Sequence, residues 1–216
     1  MGNMVTARWS AVWLTMLVVL GGAAPLCAQN SMGQAISVRI YDYDDTNPDQ
    51  IRLAQRDVTQ TFAAAGVSLE WRESVSPDDV AAGKSQWPTD GLATLSVVIL
   101  KQGVMPWRHV PRDVAGFAPI TRERGGRVAY VLGDRVRDIA AIGGASTFEV
   151  MAGVITHEMA HLLMPARSHS SRGVLRANWK PGEFRRTDMR RFSADEVAAL
   201  RGAVRASGSS GARVAD

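Results

Sequence analysis

From Ile36 to Tyr43 apolar and polar positions alternate, with Ile36, Val38 and Ile40 on one parity and Ser37, Arg39 and Tyr41 on the other. A period of two marks a strand with one buried face. Asn47, Pro48 and Gln50 then offer a helix cap, a proline at the first helical position and a capping-box partner. Beyond them Ile51, Ala54, Val58, Phe62 and Ala65 recur every three or four residues, which predicts a helix with one apolar face, ended by Gly66. Val67, Leu69 and Trp71 alternate again as a second strand, and residues 74–91, with Pro77, Gly83 and Pro88, read as a loop.

The unbroken run Val97-Val98-Ile99-Leu100 within 92–100 predicts a central strand covered on both faces. Residues 102–126 hold Pro106, Pro111, Pro119 and several glycines, and are expected to form an irregular excursion over the surface. A strand over 127–132 follows, closed by Gly133-Asp134. Ser146 with Glu149 makes a second capping box, opening a helix that runs to about Met164, where Pro165 prevents continuation. Ser193 with Glu196 caps a final helix whose apolar positions are Val197, Leu200 and Val204. The resulting order of elements is that of an α+β domain.

Composition changes this picture at the two ends. Arg8, the apolar stretch over 11–24 and Leu26-Cys27-Ala28 before Gln29 have the form of a secretory signal, so 1–28 are expected to be removed. The stretch is short of the roughly 20 residues that span a bilayer, which argues against a retained anchor. A lipid on Cys27 is disfavoured by Ala24-Pro25-Leu26, a bulky approach for that modification. An exported protein, periplasmic or extracellular and without stable membrane insertion, is therefore expected. Cys27 is the single cysteine, so the mature chain has no disulfide. The tail over 207–216, rich in Ser, Gly and Ala, reads as disordered, which leaves 29–206 as one domain.

The net charge of +4 includes Arg8, and acidic residues are dispersed among the basic ones, so no nucleic-acid partner is indicated. Arg185, Arg186, Arg190 and Arg191 form one basic run that reads as a solvated face.

The chemistry lies in Thr156-His157-Glu158-Met159-Ala160-His161. Two histidines four apart on a helix share a face and can reach one metal ion, while the residue after the first points about 100° round the helix, where a general base is wanted. Phe148, Met151, Ile155, Met159 and Leu162 form the opposite stripe that would seat the helix in the core. Of the four histidines, His157, His161 and His169 fall together and His109 lies apart in the proline-rich excursion. A catalytic zinc site takes three protein ligands and keeps one position open. His169, a short turn beyond Pro165, is the favoured third ligand; Glu183 and Glu196 are the alternatives, as a glutamate from a later helix. On this reading His169→Ala loses zinc and Glu196→Ala keeps it.

These residues, with Leu162-Leu163, His169-Ser170, Gly173-Val174-Leu175 and Trp179, resemble a family of bacterial zinc metallopeptidases. Its motif runs His-Glu-x-x-His-x-Leu-Leu, then a third histidine seven residues beyond the second, in His-Ser-x-x-Gly-Ile-Met-x-x-x-Trp. That family is similar in turn to the metzincin clan. The resemblance implies a zincin-like fold with a mixed, mostly parallel sheet, a first helix, an active-site helix and a C-terminal helix. It also implies a Zn²⁺ cofactor on His157, His161 and His169, and Glu158 as the base in hydrolysis of a peptide or protein substrate by a monomer. The substrate would pair with an edge strand, here the one containing Val128 to Leu132, with Tyr130 facing either the cleft or the core. There are two departures from metzincins. Seven residues rather than five separate the second and third histidines, with Pro165 at the bend, and Leu175 stands where the turn methionine is expected. A degenerate relative that binds zinc and a partner without cleavage is the alternative reading.

Overall fold

Residues 36–43 form strand β1 (Ile36–Tyr43), followed by α1 (Pro48–Ala64), β2 (Leu69–Trp71), β3 (Thr94–Leu100), the two-residue β4 (Gly116–Phe117) and β5 (Val128–Leu132). Helices α2 (Gly133–Gly143) and α3 (Thr147–Leu163), a 3-10 turn at Pro181–Arg185 and α4 (Ala194–Gly211) complete the order. This computed structural model describes residues 35–72, 74–75, 78–79, 82, 94–101, 111, 114–119 and 127–211, without the side chains of 207–211. The signal-like segment, most of the two loops, His109 and 212–216 lie outside the described residues.

The strands make one sheet in the order β2-β1-β3-β5-β4, parallel except for the antiparallel pair β4 and β5. Ile40, Val97 and Ala129 stand abreast in register across the three inner strands and are fully buried. On that face α1 contributes Ala54, Val58 and Phe62, and α3 contributes Met151, Ile155 and Met159, all in the same core. The other face is apolar too. Tyr41, Val98 and Tyr130 are abreast there, and Tyr41 is 1% exposed, so β1 is covered on both sides rather than on one. The expectation for β1 missed this because a tyrosine reads as polar in an alternation although its ring is largely apolar.

Asn47 caps α1, its side chain accepting from the Asp49 amide at 2.8 Å. Gln50 does not close the expected box. Its Oε1 accepts the amide of Phe148 at 3.0 Å, which ties the start of α1 to the first turn of α3. Glu149 does close the box at Ser146, accepting from the Ser146 amide and hydroxyl, both at 2.8 Å.

Four further expectations are revised. Gly133-Asp134 does not end the chain's regular structure: α2 begins at Gly133 and ends on Gly144 at φ +60°. Strand β5 is not an edge, because β3 pairs with one side and β4, hidden in the proline-rich stretch, pairs with the other. Helix α4 continues through Gly211, five residues into the expected tail, since extending a formed helix costs far less than starting one. Arg190 is buried rather than solvated, with ion pairs to Asp57 and Glu149.

Candidate metal centre

Helix α3 is buried over most of its circumference, with Val150 through Thr156, Glu158, Met159, Ala160 and Leu162 all inside. That burial mounts His157 and His161 on an element that cannot rock. Pro165 breaks the helix, and the chain turns back so that His169 faces the same point from outside α3. The Nε2 atoms lie 3.1 Å apart for His157 and His161, 3.2 Å for His157 and His169, and 3.3 Å for His161 and His169. Tetrahedral zinc with Zn–N near 2.0–2.1 Å requires ligand nitrogens about 3.3–3.4 Å apart, so the triangle fits one ion.

On α3 the other ring nitrogens of His157 and His161 are occupied so as to leave these atoms free. His157 Nδ1 donates to the Val174 carbonyl at 2.7 Å, and His161 is held by the backbone of Arg167. A proton fixed on Nδ1 leaves Nε2 as a bare lone pair, the state that binds a metal. Burial pushes His157 down to about 4, against the Val174 carbonyl, so the ring is neutral near pH 7. Burial likewise lowers His161. Among the described residues these three histidines form the one group of metal-binding type, and no fourth such side chain joins them.

Glu158, 7% exposed, lies beneath β4: a Cβ on Gly116 would fall 3.1 Å from its Cγ. Burial pushes its carboxyl up to about 8. Beyond it opens a cavity of about 610 Å³, lined by the histidines and by Ile139, Gly153, Val154, Trp179 and Phe184. Gly153 lets the Phe184 ring approach α3, since a Cβ there would fall 2.9 Å from the ring. Phe184 in turn packs on Trp179 with centroids 4.7 Å apart.

The alternative ligands are elsewhere. Glu183 pairs with Arg176 and accepts the Lys180 amide at 2.7 Å. Glu196 is fully buried behind the loop that follows His169. Leu175 is fully buried in the main core. Tyr130 stacks on Phe117 at 4.9 Å, in the smaller cluster on the far face of the sheet, and does not line the cavity. The Val174 carbonyl and the Gly116 strand gave no sign in the sequence. A backbone acceptor has no residue signature, and two residues carry no periodicity.

No protein-family model matches the chain, and no curated protein matches it either. Among solved structures it is similar to the archaemetzincin of Methanopyrus kandleri, with a TM-score of 0.53 and 14% identity over 82% of this chain and 99% of that one. The chain thus has a zincin-like fold. Within that class it is metzincin-like: a five-stranded, mostly parallel sheet with the histidine-bearing helix packed on one face.

Proposed function

We propose that this chain is a zinc-dependent endopeptidase, with His157, His161 and His169 as metal ligands and Glu158 as general base. One observation carries the reading: three imidazole nitrogens within 3.3 Å of one another, next in the chain to the buried Glu158 carboxyl. When bound, zinc supplies a Lewis acid and a local positive charge, lowering the proton affinity of a water and of a nearby carboxyl alike. Glu158 accepts the proton of the attacking water and returns it to the leaving amine. His157, held by Val174, keeps its ligand lone pair aimed at the site. An extended peptide adds to β4, the last strand of the sheet on this side among the described residues, and places one side chain in the cavity. That corrects the pairing strand from β5 to β4.

Export as a monomeric domain, by a signal over 1–28, completes the proposal. No helix among the described residues is long and apolar enough to cross a membrane.

The test is zinc stoichiometry together with cleavage of a mixed peptide library. One zinc per chain is expected for wild type and Glu158→Gln, with cleavage by the variant reduced about 10²–10⁴-fold. Leu175 in the methionine position favours a second reading, a zinc-holding partner binder. Zinc in both proteins and cleavage by neither would select it.

A further inference from the structure

Glu196 has more partners than a helix cap requires. It is 0% exposed, and its Oε2 accepts the Ser193 amide at 2.7 Å, the expected box at the start of α4. Its Oε1 serves another part of the chain, accepting the Leu175 amide at 3.0 Å and lying 2.8 Å from the Ser170 hydroxyl, whose one proton it shares with the Arg172 carbonyl. These two donors bracket the loop after His169, and the Ser170 amide closes it by donating to the Leu175 carbonyl at 2.9 Å. Inside the bracket Val174 presents the carbonyl that accepts from His157. The loop also makes room for the carboxylate. Gly173 takes φ +75°, and a Cβ there would fall 2.0 Å from Glu196 Oε2.

We propose that Glu196 is a positioning residue for the metal centre, setting His157 through the Val174 carbonyl and His169 through Ser170. The inference rests on the zinc reading above. A buried hydrogen-bonded carboxylate suits the task because two oxygens can take three donors, and leaving any of them unpaired inside the protein is costly. The loop would otherwise depend on its own short-range bonds, and small displacements of ligand supports weaken metal sites substantially. The expectation that Glu196→Ala keeps zinc thereby gains a second part: the side chain is no ligand, but the ligands stand on it.

The experiment uses the full chain, zinc titrated against a chromophoric chelator, thermal melts, and ¹⁵N NMR of the His157 ring in the zinc-free protein. Glu196→Ala is expected to bind zinc about 10–100-fold more weakly and to lose the single Nδ1–H form of His157. Glu196→Gln keeps one oxygen for Ser170 and Leu175 but sets an amide N–H against the Ser193 N–H. It should hold zinc within about threefold of wild type while melting lower. Ser170→Ala leaves the α4 cap intact, so it serves if Glu196→Ala does not fold, and should weaken zinc with little change in melting. A folded Glu196→Ala with wild-type affinity and ring signals overturns the proposal. So does a loss of affinity in the Ala and Gln variants that merely tracks their melting temperatures, or unchanged affinity in Ser170→Ala. A wild-type chain that takes up no zinc sinks the peptidase reading instead, while the His157 ring signals in the same proteins still decide the link through Val174.

Discussion

Glu158 and His157 are neighbours whose protonation burial drives in opposite directions, and the zinc-free chain should display both in its stability. The carboxyl is pushed from 4.5 up to about 8, so the folded state binds more protons than the unfolded one and stability falls as pH rises through that interval. The imidazole is pushed from 6.5 down to about 4, so stability falls as pH drops below 6.5. Between 4.5 and 6.5 the two slopes oppose each other, with His161 adding to the imidazole side; well above 6.5, where the histidines have lost their protons in both states, the Glu158 slope dominates. Urea melts in chelator from pH 6.5 to 8 should show wild type losing on the order of 2 kcal/mol relative to Glu158→Gln, in which only the histidine contribution remains. Parallel curves would exclude Glu158 as the source. At this scale the sequence was most legible where helix geometry governs: a spacing of four places His157 and His161 together whatever the remainder does. His169 depended on a loop path, and the second role of Glu196 on partners 21 and 26 residues away, which no local pattern encodes.

Strands and helices long enough to repeat their pattern were readable: β1, β3, β5, α1 and α3 stand close to where periodicity puts them. Helix α2 was obscured because Gly133-Asp134 has the composition of a turn. Yet Val136 and Ala140 lie four apart, and Gly144 supplies a left-handed stop, so the signs were present. Strand β4 had no such signs, and it forms the roof over Glu158. A Cβ on Gly116 would fall 2.5 Å from Val154, 2.9 Å from the Tyr130 carbonyl and 3.1 Å from Glu158. Gly116→Val should therefore displace the strand. Peptide cleavage is expected to fall at least about tenfold with zinc affinity near wild type, because the ligands come from other elements. A variant that cleaves normally would remove β4 from the substrate path.

Cys27 is the single cysteine, so no disulfide within the chain can staple it, which leaves packing, and on the peptidase reading metal, to secure it. A ligand that binds only the folded form adds about 2.7 kcal/mol at a hundred times its Kd. For a domain of this size that is roughly 5–10 °C in melting temperature. Zinc should raise the melting temperature by that amount, chelator should reverse it, and His169→Ala should show no shift; a rise in His169→Ala as large as in wild type would place the ion elsewhere. The same dependence on packing is visible in α2, which follows β5 without a linker and is confined at both ends. At Gly133 a Cβ would fall 1.9 Å from Asp44, itself paired with Arg137, and at Gly143 one would fall 2.2 Å from the Pro181 carbonyl. Ile139, between those two contacts, is one wall of the cavity. A wall clamped at both ends cannot slide aside for a larger guest, so on the peptidase reading the recess would act as a fixed gauge, sorting substrates by girth before any chemistry begins.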